Sequence, residues 1–261
     1  MKNKSKLITL GVFFLFTLSC STDNNEITKV IEPSSLANNT IQKPASNINN
    51  PFENIGELHN QFLTQMYTAN VTSEDVINNS ALSFANSNGY DTSMISTADV
   101  KNIVDQALAL EPTTDNLNAL AATYNFSDAY KTELNKLFLF LSYQSYISID
   151  EIQNSLVNIE VEYMNAPVTA TEKENLLRLI VIARYSTEYW INRLPSESYT
   201  MAKGKLFNRL LGVIGCDVLG AAVGAFVLGA VSGGTLAPLG AHLGATAGSA
   251  AAQVEISKNG L

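Results

Sequence analysis

The sequence predicts an all-α protein: a bundle of about six or seven helices followed by a Gly/Ala-rich helical hairpin. Three observations carry this. Between residues 52 and 200, apolar side chains recur at the i, i+3, i+4 spacing of a buried helix face. No β-branched run of period two competes there, and no Asn-Gly or Asp-Gly hairpin joins two such runs. From residue 218 to residue 254 the chain has no Asp, Glu, Lys or Arg, and ten of its 15 glycines fall between Gly212 and Gly248.

Composition narrows the function classes. The chain has 261 residues, 46% hydrophobic and 15% charged, with a net charge of -8. That length is enough to bury a substantial core. Two cysteines cannot staple a small scaffold, and no Cys/His cluster has zinc spacing, so neither a metal nor a cofactor is expected. An acidic chain is also a poor ligand for the phosphate backbone of nucleic acid.

The first element is residues 1–19. Lys2, Lys4 and Lys6 precede an uncharged apolar run over residues 7–19, the pattern of a secretory signal and too short for an ordinary spanning helix. The run ends Phe16-Thr17-Leu18-Ser19-Cys20, which resembles a bacterial lipobox, with Thr17 where the usual Leu stands. The resemblance implies cleavage before Cys20 and lipidation of its sulfur and new N-terminus. Two or three acyl chains, at ~0.8 kcal/mol per buried CH₂, give stable anchoring. An ordinary signal peptide cut near Ser19 is the alternative. Losing three lysines leaves 13 basic residues against 24 acidic ones, a net charge of -11. Asp23 and Glu26 resemble the acidic export signals of surface lipoproteins in Bacteroidota, and equally suit a soluble acidic tether. An exported protein, lipid-anchored to the outer membrane at its periplasmic or outer face, is the expectation.

Residues 20–51 form the second element, a flexible tether. They are rich in Asn, Ser and Thr and punctuated by Pro33, Pro44 and Pro51.

The α-helical domain spans residues 52–200. Ile55, Leu58, Phe62, Leu63 and Met66 mark its first helix. Ser73 starts a second, which Gly89 stops, and Ser96 starts a third, ended by Pro112. A short helix surrounds Leu117 and Leu120, and another runs over residues 126–143. Ser148 to Glu151 has capping-box spacing. Residues 171–194 make the longest and most apolar helix, closed by Pro195. Glu172, Lys173 and Glu174 at its start read as a solvated face with favourable dipole placement.

Residues 201–261 hold the hairpin. Gly212, Cys216, Gly220 and Gly224 form one row of small residues four apart, Ala225, Gly229 and Gly233 a second, and Gly240, Gly244 and Gly248 a third. Such rows let two helices approach backbone to backbone. Gly233-Gly234 breaks the stretch into arms of about 212–232 and 236–253, with Thr235 as the expected cap of the second and Pro238 in its first turn. The uncharged part of each arm is about 21–26 Å long, short of a ~30 Å hydrocarbon core. Lys203, Lys205 and Arg209 stand where cations meet lipid phosphates. A membrane, a second copy, or the chain's own soluble domain are the candidate partners of this surface.

These small-residue rows resemble the hairpin of glycine-zipper outer-membrane lipoproteins over about 40 residues, which implies packing at the outer membrane and a role in envelope integrity. Residues 215–225 are also similar to Gly/Ala-rich bacteriocin-like peptides. The stretch Asn50-Pro51-Phe52-Glu53-Asn54-Ile55-Gly56-Glu57-Leu58-His59-Asn60 resembles the opening of Bacteroidota lipoproteins that join a helical body to this kind of tail. That resemblance implies no activity.

Sites for chemistry are few. His59 and Asn60, with Glu53 and Glu57 within a turn, are the candidate functional residues, since histidine is the natural acid/base near neutral pH. Hydrogen bonding to a helix end or an interhelical gap is the competing role. Cys216 beside Asp217 needs a histidine base to act as a nucleophile, and as a lone thiol it reads as a small buried residue. His242 reads as a packed histidine of the apolar arm. Tyr185, Tyr189 and Trp190 with Arg184 and Arg193 suggest a surface, although Trp190 aligns with the core face. The expected function is therefore a non-enzymatic, envelope-anchored lipoprotein of structural or interaction role, its hairpin packing in a membrane or self-associating. A membrane-permeabilising factor is the alternative, and an enzyme using His59 comes third.

Overall fold

The computed structural model describes residue 47 and residues 49–110, 114–142, 149–193 and 203–258. The signal, Cys20 and most of the tether lie outside the described residues, as do Pro112, Ser148, Pro195 and the side chains of Lys203, Lys205 and Arg209. Among the described residues there are nine helices and no strand. They are α1 (Glu53–Thr68), α2 (Glu74–Ser87), α3 (Thr97–Ala109), α4 (Thr114–Thr123), α5 (Asp128–Ser142), α6 (Ile149–Asn165), α7 (Ala170–Ile191), α8 (Lys203–Val231) and α9 (Ala237–Lys258).

Local sequence explains several helix ends. Ser96 caps α3 through a capping box with Asp99, and Thr169 caps α7 through one with Glu172. Ser73 precedes α2 without a side-chain cap bond. Asn70 and Asn125 close α1 and α4 in the left-handed region, at φ 48° and 59°, so that Val71 N–H and Phe126 N–H reach back to the carbonyls of Met66 and Ala121. Between α8 and α9 the chain reverses at Gly233 and Gly234, φ +61° and +96°, with Gly234 N–H donating to Gly229 O at 2.7 Å. Thr235 does not cap α9. Its hydroxyl donates to Ser232 O, while Ser232 Oγ accepts from Leu236 N–H at 2.8 Å.

The arms form an antiparallel hairpin at the centre of the molecule. Its seam is made of facing glycines, Gly220 on Gly244 and Gly224 on Gly240. A methyl group at any of the four would overlap the facing glycine's carbonyl. Gly229 meets the Ala237 Cβ across the seam, and Gly248 approaches Gly220. Gly212, by contrast, has open space beside it, and Gly233 belongs to the turn. Both residues fit the small-residue rows in sequence yet sit outside the contact.

The other helices wrap this pair. α3, α5 and α7 pack on α8, and α1, α2, α3 and α7 pack on α9, with α6 behind α7 and α4 behind α5. One continuous hydrophobic core joins residues of α1 to α7 with those of α8 and α9. The boundary near residue 200 therefore divides the sequence but not the core. α9 is buried from Leu239 to Ala251, and α7 from Asn175 to Thr187, so both are enclosed on nearly all sides, α7 with the polar Asn175, Arg178, Arg184, Ser186 and Thr187 among its buried residues.

Candidate functional site

α1 carries the candidate residues His59 and Asn60, and every turn of its opening stretch docks on α7. Asn50 Nδ2 donates to Glu160 Oε1 at 2.6 Å and to Leu177 O at 3.2 Å. Phe52 lies under the Arg178 guanidinium, 4.2 Å from ring centroid to Cζ. Glu53 pairs with Arg184 and accepts from Tyr185 OH at 3.0 Å. Gly56 sits against the Tyr185 ring, where any side chain would collide. Asn60 Nδ2 donates to Tyr185 O at 2.9 Å. The Asn50–Asn60 stretch is thus a strap, with residues at helical spacing reading one face of α7.

His59 lies at zero exposure where α1, α7, α8 and α9 converge. Its Nδ1 is 3.0 Å from Asn60 Oδ1, and its Nε2 is 3.0 Å from Ser249 Oγ and 3.5 Å from Asp217 Oδ2. Asp217 Oδ2 also accepts from Ser186 Oγ at 2.5 Å and Trp190 Nε1 at 3.1 Å. Ser249 gives its proton to Ala245 O at 2.5 Å, and Asn60 uses its amide donor on Tyr185. His59 thus has a polar neighbour at each ring nitrogen, Asn60 at Nδ1 and the Ser249–Asp217 pair at Nε2. Burial pushes the Asp217 carboxyl up from its ordinary value, against the lowering influence of His59, Ser186, Ser249 and Trp190. Its Oδ1 has no hydrogen-bond partner among the described residues.

Histidine, serine and aspartate are present, but the arrangement is not that of a nucleophilic triad. A triad uses opposite ring nitrogens for serine and aspartate, so that one carboxylate orients the base. Here both lie on Nε2, and all three side chains are sealed from solvent. The cluster ties four helices together. Cys216 is half-buried on α8, and its neighbour Asp217 is the residue that meets His59.

His242 on α9 is the second buried histidine. Its ring stacks with Tyr90 (centroids 5.0 Å apart, planes at 10°) and with Phe84 (5.9 Å, 21°). Neither ring nitrogen has a hydrogen-bond partner among the described residues. Burial, reinforced by nearby His59, drives its pKa down to about 3, so the ring is neutral.

A third cluster surrounds Glu160, which is fully buried and accepts from Asn47, Asn50 and Arg184. Arg184 bridges Glu160 and Glu53, joining α6, α7 and α1. Trp190 is core, with 9% exposure, while Arg193 stacks on Tyr189 at 3.5 Å and reaches Tyr67 at 5.1 Å. Glu172 is buried instead of solvated. Burial raises its pKa, but the N–H groups and hydroxyls of Ser127 and Thr169 outweigh that and hold it low. The pattern Thr169-x-x-Glu172 was visible in the sequence, whereas Ser127, 45 residues away, was not.

Sequence reasoning missed Asp217, Ser249, Ser186 and Glu160 as site residues. Asp217 carried one signal, being the last charge before the uncharged stretch. No protein-family model, curated protein or solved structure matches this chain.

Proposed function

We propose that this chain is an exported, non-enzymatic lipoprotein, anchored through Cys20 at the outer membrane, whose helical body carries an apolar hairpin destined for a bilayer surface. The carrying observation is the hairpin itself, uncharged from residue 218 to residue 254 yet folded inside amphipathic helices. Among the described residues, Gly212–Val231 is the one stretch long and apolar enough to cross a membrane. Outside the His59 cluster its contacts with the body are mainly apolar, and lipid replaces apolar contacts at little loss. The glycine rows are already filled by the opposite arm, which favours lipid over a second copy as partner. The sealed His59 cluster supports a structural role over catalysis.

A second reading has its own support. Of the spanning-length window, 72% is buried inside the body, as in the permanent core of a lipid-tethered domain. Flotation with phospholipid vesicles separates the two. The full chain carrying Cys20→Ala is compared with the same chain carrying Asp217→Asn, which cuts the polar tie between hairpin and body. Flotation of the Asp217→Asn chain supports the bilayer reading. If it stays soluble and monomeric, the hairpin is permanent core. Incorporation of labelled palmitate, abolished by Cys20→Ala, tests the anchor.

A further inference from the structure

We propose that the α8–α9 hairpin is a concealed surface for an anionic bilayer, held in the body while His242 is neutral and released when that ring takes up a proton. This rests on the bilayer reading above and assigns its regulation.

The geometry around His242 carries the inference. The imidazole is at zero exposure, stacked with two aromatic rings, and both nitrogens lack an acceptor among the described residues. A protonated ring has two N–H donors and a charge, and both must be satisfied or hydrated. None of the described groups around it supplies that. From α1, His59 acts on it electrostatically and lowers its proton affinity further. From α2 and the turn after it come Phe84 and the Tyr90 ring, with Arg178 of α7 acting on the Tyr90 hydroxyl. α3 brings apolar side chains such as Ile103 to the same helix. The carboxylate of α8, Asp217, is taken by His59, Ser186 and Trp190. A charged His242 is therefore accommodated by moving α9 away from these rings.

The hairpin can leave as a unit. Its seam is internal, formed by glycines of the two arms, so opening separates the pair from α1, α2, α3, α5 and α7 without parting the arms. The freed pair is uncharged from residue 218 to residue 254 apart from a protonated His242, with Asp217 and, earlier in α8, Lys203, Lys205 and Arg209 preceding that stretch in sequence. Such a pair fits the headgroup boundary of an anionic membrane, apolar face inward and cations toward phosphate. A surface potential of about -30 mV also lowers the local pH by about half a unit. The bilayer thus helps to protonate the group that conceals its own binding surface.

The test uses the full chain with Cys20→Ala, floated on vesicles of phosphatidylcholine alone or with phosphatidylglycerol at pH 7.5 and 5.0. The ratio of bound to free chain is expected to rise about thirty-fold at pH 5.0 on the anionic vesicles, the change set by one buried histidine. His242→Phe, which keeps the aromatic stack, is expected to remove that rise. Equal flotation at both pH values, or an unchanged rise in His242→Phe, overturns the proposal. Equal binding to both vesicle types overturns the anionic assignment, and soluble oligomers at pH 5.0 instead of flotation point to a second copy. Flotation of Asp217→Asn at pH 7.5 with no acid response in the parent chain leaves the bilayer reading standing and removes only the switch. Should His242→Phe fail to fold, amide exchange of the parent chain decides. Protection of α8 and α9 relative to α6, corrected for intrinsic rates, falls by a similar factor at pH 5.0 or the proposal fails.

Discussion

His59 Nε2 stands 3.5 Å from Asp217 Oδ2, with both side chains sealed from solvent, and the pair ties the first helix of the body to the first arm of the hairpin. A buried polar pair contributes little net stability compared with an apolar replacement of both partners, yet removing one partner strands the other. Asp217→Asn is therefore expected to destabilise the chain by about 3 kcal/mol. In urea denaturation, Asp217→Asn combined with His59→Gln is expected to lose less than the two single losses together. Strict additivity would show the two side chains to be independent.

The second buried histidine sets a pH dependence whose sign is fixed. His242 has a folded value near 3, whereas the unfolded ring titrates near 6.5. The unfolded chain takes the proton first, so stability present above pH 6.5 is lost as the pH falls toward 3. Between pH 7 and pH 5 this amounts to about 2 kcal/mol. Asp217 works in the opposite sense, because its raised value favours the folded state as acid increases. The difference between the parent chain and His242→Phe isolates the histidine. Identical slopes of stability against pH in the two would remove His242 from the account.

At the seam, position decides the sign. A methyl at Gly224 overlaps the Gly240 carbonyl, and backbone cannot swing aside as a long side chain does. Gly224→Ala is expected to lower stability by about 3 kcal/mol. Gly212 lies in the same helix with open space beside it. Gly212→Ala is expected to raise stability by a few tenths of a kcal/mol, up to about 1, through helix propensity. Thermal melts that ranked the two alike would contradict this seam.

Capping gives a smaller contrast. Thr169 accepts from Glu172 N–H and holds the Glu172 carboxylate, whereas Ser73 makes no side-chain cap bond. Thr169→Ala is expected to cost about 1 kcal/mol, while Ser73→Ala changes stability by a few tenths. Chemical denaturation of the two variants measures both.

The helices of the body were legible because each alternates faces at a helical period, as Ile55, Phe62, Leu63 and Met66 do in α1. The antiparallel arms were legible from the spacing of Gly220, Gly224, Gly240 and Gly244. What surrounds the hairpin was not. An outward-facing Leu239 or Leu243 has the same pattern against lipid as against protein, since both solvents are apolar. The role of His59 was equally hidden. Its partner Ser249 lies 190 residues away, and no local spacing reports a contact made by four helices meeting. Glu172, expected on a solvated face, is instead held by Thr169 three residues before it and by Ser127 45 residues away, the second a contact that no local spacing reports.

The glycine seam also acts as a ruler. Each residue added to a helix turns everything beyond it by about 100°. One residue inserted between Asp217 and Gly220, or between Gly244 and Ser249, would swing either the seam or the polar cluster away from its partner. The turn holding Gly233 and Gly234 is free of that constraint, because both arms start afresh from it. Length changes in this hairpin should therefore be tolerated at its tip and rejected along its sides, a pattern readable from insertion scanning alone.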